Sequence, residues 1–260
     1  MIGIIGGSGL YQIEGVTIKR EKRVKTPFGS PSDAYLMGEF SERNVIFLPR
    51  HGKRHSIAPH RINYRANIWG FRELGVTKII SIGATGGIHR ALIPGNLVVL
   101  DQVIDMTDGR KSTFWEGDTG VYHVDFTEPY CAALRKVVLT AGKKTKISVK
   151  KSGTYVCTNG PRLETRAEIR FFARAGADVV GMTAMPEAAL AREAEMCYAG
   201  IAVVTNFAPG VREKKLTATE VVETMQKASG RLRTLLKETL RLVPSARKCS
   251  CKEALREAKV

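Results

Sequence analysis

The chain has 260 residues, 43% hydrophobic and 25% charged, a balance typical of globular proteins and long enough to bury a full core in one domain. No apolar run approaches the ~20 residues needed to span a bilayer, and the start Met1-Ile-Gly-Ile-Ile5 lacks the basic flank and cleavage-like site of a signal peptide, so the cytoplasm is the default compartment. Forty-one Lys and Arg against 25 Asp and Glu give a net charge of +16, which admits nucleic acid, an anionic membrane surface or an anionic substrate as partner.

Apolar β-rich runs recur at Ile2–Ile5, Val45–Leu48, Lys78–Ile82, Leu97–Leu100, Tyr155–Cys157, Asp178–Val180 and Ile201–Thr205. Helical patterns lie between several of them, at Asn63–Leu74, Tyr130–Ala141, Thr165–Ala175, Pro186–Glu195 and Thr217–Leu242. The alternation predicts an α/β fold with a central mixed sheet flanked by helices, one domain over residues 1–243 and a charged tail over 244–260. The densest basic runs, Lys19–Lys25, Lys143–Lys151, Arg212–Lys215 and Arg247–Lys252, carry no interleaved aromatics of the kind a nucleic-acid stacking platform needs, and read as solvated surface.

Five cysteines are too few and scattered for a disulfide scaffold, and no pair has zinc-finger spacing. Cys131, Cys157 and Cys197 read as core residues. Cys249-Ser-Cys251 falls in the basic tail, expected to be exposed, where the thiols are either unpaired or bridged as in some hyperthermophile proteins.

In open α/β sheets ligands gather outside the carboxyl ends of the strands, and several polar or glycine-rich segments fall at such ends. Ser81-Ile-Gly-Ala-Thr-Gly-Gly-Ile88 reads as a cradle in which Gly83 and Ala84 turn backbone N–H groups toward an anion. Gly6-Gly-Ser-Gly9 follows the first strand and offers further N–H groups and the Ser8 hydroxyl, without the Lys of a Walker A loop or the spacing of a dinucleotide fingerprint. Arg50 and His51 end another apolar run, where a planar guanidinium suits phosphate. Asn206 offers donor and acceptor to a heterocycle, and Glu164 could accept a ring N–H. Each of these residues, taken alone, also has a bland reading as a turn former, a helix-start charge or a structural arginine.

Together they resemble a known family. Ile4-Ile-Gly-Gly-Ser-Gly-Leu10, Thr26-Pro-Phe-Gly-Ser-Pro-Ser32, Arg50-His-Gly52, Asn63-Tyr-Arg-Ala-Asn-Ile-Trp69, Gly160-Pro-Arg162 and Gly181-Met-Thr-Ala-Met-Pro-Glu187 resemble the trimeric nucleoside phosphorylases, the family of purine nucleoside and methylthioadenosine phosphorylases, with the methylthioinosine phosphorylases most alike. The likeness runs from Met1 to about Leu242 and leaves the tail uncovered. It implies phosphorolysis, in which inorganic phosphate attacks C1′ of a nucleoside and expels the purine, with neither a metal nor an organic cofactor. It places Ser8, Arg50, His51, Gly83, Ala84 and Thr183 at phosphate, Met182 at the ribose, and Leu163 where some relatives stack a Phe on the base. Arg50, His51 and Asn206 are the residues expected to act in catalysis, Asn206 by stabilising the leaving base.

The resemblance also speaks to specificity. Methylthioadenosine phosphorylases carry Asp where Asn206 stands and a small hydroxyl residue where Glu164 stands, so the pair here implies a 6-oxopurine. Glu164 would accept N1–H of hypoxanthine or guanine; adenine lacks that proton, and a site built around it discriminates by up to ~10⁴-fold. Ala218 and Val222 stand where purine nucleoside phosphorylases that bind a 5′-hydroxyl carry a His nearby, which favours a methylthio group. His123 matches a residue that relatives lend to a neighbouring subunit, implying a homotrimer or dimer of trimers. The expected substrate is 5′-methylthioinosine, with inosine and guanosine as the alternative and methylthioadenosine third. The rival from another class is a basic nucleic-acid-binding protein, against which the scattered basic residues argue.

Overall fold

The structure is a computed structural model that describes residues 1–7, 16–117, 120–213 and 217–260. In chain order its elements are β1 (Ile2–Gly6), β2 (Thr17–Lys22), β3 (Tyr35–Phe40), β4 (Arg43–Pro49), α1 (Tyr64–Glu73), β5 (Lys78–Gly87), β6 (Leu97–Val99), β7 (Gln102–Met106), α2 (Ala132–Thr145), β8 (Val149–Lys150), β9 (Thr154–Thr158), α3 (Arg166–Arg174), β10 (Val179–Gly181), α4 (Ala184–Glu193), β11 (Cys197–Phe207) and α5 (Ala218–Leu242). All five predicted helices form. Their starts carry the caps the sequence supplies: Asn63 accepts from the Ala66 N–H, Thr217 from the Glu220 N–H, and Thr165 with Glu168 closes a reciprocal capping box.

The strands join one mixed sheet in which β1, β5 and β11 are central and parallel, with both faces covered. Side chains alternate between two cores. Ile4, Ile80, Ile82, Ile201 and Val203 pack with α2 and with Met225, Ala228, Leu232, Leu235, Leu236 and Leu240 of α5. Ile5, Ile46, Leu48, Ile79, Ala202 and Val204 pack on the other face with Ile68 and Phe71 of α1 and Ala188 and Leu190 of α4. This period-2 sorting of a nearly continuous apolar run gives the three-layer α/β arrangement that the sequence predicts. The basic run at Lys19 contains β2, an exposed edge strand paired only with β3; its charges mask the strand in the sequence and protect a free sheet edge.

One strand is longer than expected and one reading needs correction. The run read as Lys78–Ile82 continues as β5 to Gly87, so the bland reading of its glycines as a turn does not hold, and Gly86 and Gly87 serve close approach. A Cβ on Gly87 would stand 2.5 Å from the Leu92 carbonyl oxygen, and one on Gly86 would stand 3.2 Å from Asn206 Nδ2. The tail, for which the sequence leaves open a short helix or fraying, takes the first course, and its cysteines, expected to be exposed, are not. A 3-10 turn at Ser250–Glu253 buries Cys251, Lys78 Nζ donates to the Ser245 carbonyl at 2.9 Å, and the His123 N–H donates to the Ala258 carbonyl at 2.8 Å. The Cys249 and Cys251 thiols therefore face the core, beside Cys131 and Cys197.

What positions the site is a fork in β5. Its first half pairs with β1 as far as Gly6 opposite Ile82, whereas its last two residues pair with antiparallel β10, Val180 opposite Gly86. Between these ladders no strand among the described residues covers residues 83–85 on that edge, although β11 covers the other edge. Gly87→Ala is expected to destabilise the protein by about 1–3 kcal/mol through overpacking against the Leu92 backbone; urea unfolding checks this, and an unchanged midpoint would mean that the segment is looser than the ladder implies.

Candidate active site

A cavity of about 530 Å³ opens at the fork, reached by Gly7, Arg50, His51, residues 83–86, Leu163, Glu164, Met182, Thr183, Thr205, Asn206 and Val222. Most of the residues singled out in the sequence thus converge. Ser8 lies outside the described residues. Ala218 opens α5, its side chain likewise outside them, and His123 is exposed and does not line this cavity in its own chain.

At the fork the uncovered edge of β5 presents Gly83 and Ala84 to the cavity. A Cβ on Gly83 would enter this space, meeting only Thr183 Oγ1 at 4.0 Å. Thr183 precedes α4 and lines the cavity; its hydroxyl makes no cap bond and lies within hydrogen-bonding reach of Tyr155, and its N–H donates to Tyr155 OH at 3.2 Å. The open strand edge is a place where backbone N–H groups can meet an anion; α4 adds no helix dipole at Thr183, because its backbone is non-helical at Met185 and the Thr183 and Met185 N–H groups are spent on Tyr155 OH and Cys157 Sγ. The loop carrying Met182 and Thr183 is held by Arg110, whose Nη1 donates to the carbonyls of Met182 at 2.8 Å and Met185 at 2.6 Å, and whose Nη2 donates to the Asn159 carbonyl at 2.9 Å.

Arg50 behaves differently from the expectation. It is 1% exposed, and its Nε and Nη2 donate to Glu187 Oε2 at 2.7 Å and Oε1 at 3.0 Å. Nη2 also reaches Ser81 Oγ at 2.6 Å, and Nη1 donates to the Ile82 carbonyl at 3.1 Å. The planar fork expected to grip phosphate is thus closed on Glu187, leaving the cavity a single Nη1 N–H. Burial opposes the charged guanidinium, but the Glu187 charge and hydrogen bond outweigh it and hold the Arg50 pKa above the ordinary arginine value. Glu187 also accepts from Ser81 Oγ at 2.8 Å and Tyr198 OH at 2.7 Å.

His51 is neutral near pH 7: burial, reinforced by the Arg50 charge and by His55, outweighs its backbone hydrogen bond and pushes its pKa down to about 4. Its Nδ1 lies 2.8 Å from the Ile57 carbonyl, which only accepts, so the proton sits on Nδ1 and Nε2 is left as an acceptor. Such a group takes a hydrogen bond from a sugar hydroxyl or a protonated phosphate oxygen; it does not donate to a bare oxyanion.

Asn206 reaches the cavity through a β-bulge. The β11 register against β5 passes from Val204 opposite Thr85 to Asn206 opposite Gly86, which makes Thr205 the extra residue and gives the cavity two consecutive side chains. Thr205 Oγ1 donates to Asn206 Oδ1 at 2.8 Å and fixes the amide, whose Nδ2 donates to the Phe207 carbonyl at 2.9 Å and keeps a second N–H. Glu164 is 8% exposed; Thr158 Oγ1 donates to its Oε1 at 2.8 Å, and burial raises its pKa above the ordinary carboxylate value. Leu163 and Val222, 49% and 45% exposed, stand at the cavity's mouth as an unsealed apolar rim.

Sequence reasoning did not single out Glu187, Ser81, Tyr198, Tyr155, Thr205 or Arg110. Glu187 did leave a signal, as the only acid among the small and apolar residues of Ala184-Met-Pro-Glu-Ala-Ala-Leu-Ala191. Arg110 left none, because its partners, backbone carbonyls and the side chains of Asn159 and Tyr64, are distant in sequence.

Compared with known proteins, residues 1–241 match the family described as the Phosphorylase superfamily. The chain is 49% identical to a probable S-methyl-5′-thioinosine phosphorylase of Thermodesulfovibrio yellowstonii, over 99% of this chain and 96% of that protein. It is 51% identical to a 6-oxopurine nucleoside phosphorylase of Pyrococcus furiosus (99% and 98%), and 46% identical to an S-methyl-5′-thioadenosine phosphorylase of Thermofilum pendens (99% and 97%). Among solved structures, methylthioadenosine phosphorylase from Schistosoma mansoni in complex with adenine superposes with a TM-score of 0.94 at 34% identity, over 99% of this chain and 98% of that one.

Glu187→Gln leaves the Arg50 charge buried without its counterion and is expected to cost about 3–5 kcal/mol of stability. Denaturant unfolding measures it, and a loss below about 1 kcal/mol would show that solvent or an anion compensates Arg50 in place of Glu187.

Proposed function

Because this chain belongs to the phosphorylase superfamily and is an enzyme of the purine nucleoside phosphorylase type, we propose that it cleaves 6-oxopurine nucleosides with inorganic phosphate, and that 5′-methylthioinosine is its preferred substrate. The observation that carries this reading is the sharing of one cavity by an anion seat and a base-recognising pair. Gly83 and Thr183 stand together, Asn206 stands against Gly86, three residues or about 10 Å along β5, and Glu164 lines the same cavity.

Phosphate in the seat would attack C1′ as the glycosidic bond stretches toward an oxocarbenium-like state. Negative charge then grows on the leaving purine, where the second Asn206 N–H donates toward N7 or O6 and the Glu164 carboxylate accepts N1–H. Thr205 positions the amide, and Met182 lies against the ribose. His51 accepts from a hydroxyl, as its tautomer requires. In place of a guanidinium grip, phosphate would rest on backbone N–H groups, Thr183, one Arg50 N–H and Ser8. The co-substrate is phosphate, and no metal or organic cofactor enters the step.

Val221 and Val222 of α5 favour a methylthio group over a 5′-hydroxyl, a preference worth only about 1–3 kcal/mol, so inosine and guanosine are the second reading. The open rim at Leu163 and Val222 supports a homotrimer or dimer of trimers acting on small molecules in the cytoplasm, with His123 of one subunit completing the 5′ pocket of the next.

Phosphate-dependent base release from 5′-methylthioinosine, inosine, guanosine and 5′-methylthioadenosine tests the reading. Hypoxanthine is expected fastest from methylthioinosine, and adenine as the dominant product would overturn it. Asn206→Asp is expected to shift preference toward 6-aminopurines by tenfold or more, about 1.4 kcal/mol; loss of all activity with no gain in adenine release would remove Asn206 from its role. In kcat/KM against pH, an acid limb is expected above the ordinary carboxylate range. As pH falls through the raised Glu164 value the carboxylate gains a proton and no longer accepts N1–H. Glu164→Gln should lower the rate and abolish that limb; a limb that survives belongs to phosphate or another group.

A further inference from the structure

At the opposite end of the central strands four cysteines converge from three parts of the chain. Cys131 caps α2, Cys197 opens β11, and Cys249 and Cys251 flank Ser250 at the 3-10 turn of the tail. Their sulfur atoms all lie within 4.8 Å of one another, with those of Cys197 and Cys249 at 3.3 Å. Cys131, Cys197 and Cys251 are buried and Cys249 is partly so. Along β11 the cluster is nine residues, or about 30 Å, from Asn206, so it belongs to no part of the nucleoside cavity.

We propose that these four cysteines form a structural site for a thiophilic divalent cation, zinc above all, which ties the C-terminal segment to α2 and β11. A tetrahedral tetrathiolate with Zn–S near 2.3 Å needs sulfurs about 3.8 Å apart. A disulfide needs about 2.05 Å, and a pair of disulfides gives no reason for all four sulfurs to be mutual neighbours.

The surroundings also suit a zinc tetrathiolate, which carries two net negative charges. The Leu134 N–H donates to Cys131 Sγ at 3.5 Å, at the positive end of α2, and Arg192 Nη1 donates to Cys251 Sγ at 3.8 Å. Lys78 lies within electrostatic reach of Cys197 and Cys249. Donors to metal-bound sulfur and nearby cations are what a zinc site draws from its surroundings. Binding takes Zn²⁺ and four thiols to the tetrathiolate and four protons, with no change of oxidation state, whereas two disulfides would need an oxidant for four electrons. A clamp here would also steady the segment at His123, since the Ala258 carbonyl accepts from the His123 N–H at 2.8 Å and the Val260 N–H donates to the Val121 carbonyl at 3.0 Å.

The test uses the full chain, reduced and freed of metal with a chelator, then titrated with zinc against a chromophoric competitor and separately with cobalt(II). One zinc per chain is expected, held at least a hundredfold more tightly than by the Cys249→Ser/Cys251→Ser variant. Cobalt should give the visible bands of a tetrahedral ion with a sulfur-to-metal charge-transfer band. Zinc should raise the melting temperature of the native chain and not of the variant, a comparison within each protein that survives any folding defect of the variant. Phosphorolysis by the native chain should continue with chelator present. Reduced protein that takes up no zinc, or binds it equally in the double variant, would overturn the proposal. So would isolated protein with four of its five thiols consumed in disulfides that, once reduced, shows no cobalt–sulfur band.

Discussion

The bidentate pair between Arg50 and Glu187 is the interaction on which the rest of the site depends. It joins the residue after β4 to α4, and through Ser81 and Tyr198 it reaches β5 and β11, so both core faces and the fork meet at one carboxylate. Burying two charges costs several kcal/mol each, which good geometry and complete hydrogen bonding offset only in part. Such a pair adds little net stability compared with apolar residues of the same volume. What it supplies is a unique arrangement, because any other packing of α4 against β5 would strand a charge.

That arrangement sets the electrostatics of the cavity. With the Arg50 charge answered by Glu187, the proposed anion seat is made chiefly of dipoles: the open edge of β5 and hydroxyls. A seat of dipoles is weaker than an ion pair at long range but needs no reorganisation as charge moves during reaction, and it does not hold an anion so tightly that the product stays. The +16 net charge of the chain supplies the long-range attraction instead. On the proposed reading, a buried carboxylate and an amide held by Thr205 would make base recognition directional.

Much of this was legible in the sequence, for identifiable reasons. The five helices carry caps and periodic apolar faces, and the central strands are unbroken Ile and Val runs. Those signals are local, so they survive translation into a fold. The extension of β5 past Ile82 was not legible because glycine signals a turn and a close approach alike, and only the neighbours, Leu92 and Asn206, tell them apart. The Arg50 fork was assigned to phosphate because its partner, Glu187, lies 137 positions away. The cysteine cluster escaped notice for the same reason: Cys131 and Cys197 look like core residues until the tail folds back on them. Contacts of high sequence separation leave no local pattern, and the site is built largely from them.

The bulge at Thr205 has a wider consequence. Upstream of it each β11 side chain is locked into one of two cores by strict alternation, so substitutions there disturb packing on one face or the other. The extra residue breaks that phase, and beyond it Asn206 answers to the cavity and to Gly86 rather than to either core. The position has in effect been uncoupled from the hydrophobic ledger of the sheet. Given the role proposed for Asn206, a lineage could therefore rewrite its choice of base at this residue while leaving the scaffold untouched, a physical route by which chains of one fold come to divide different purines among themselves.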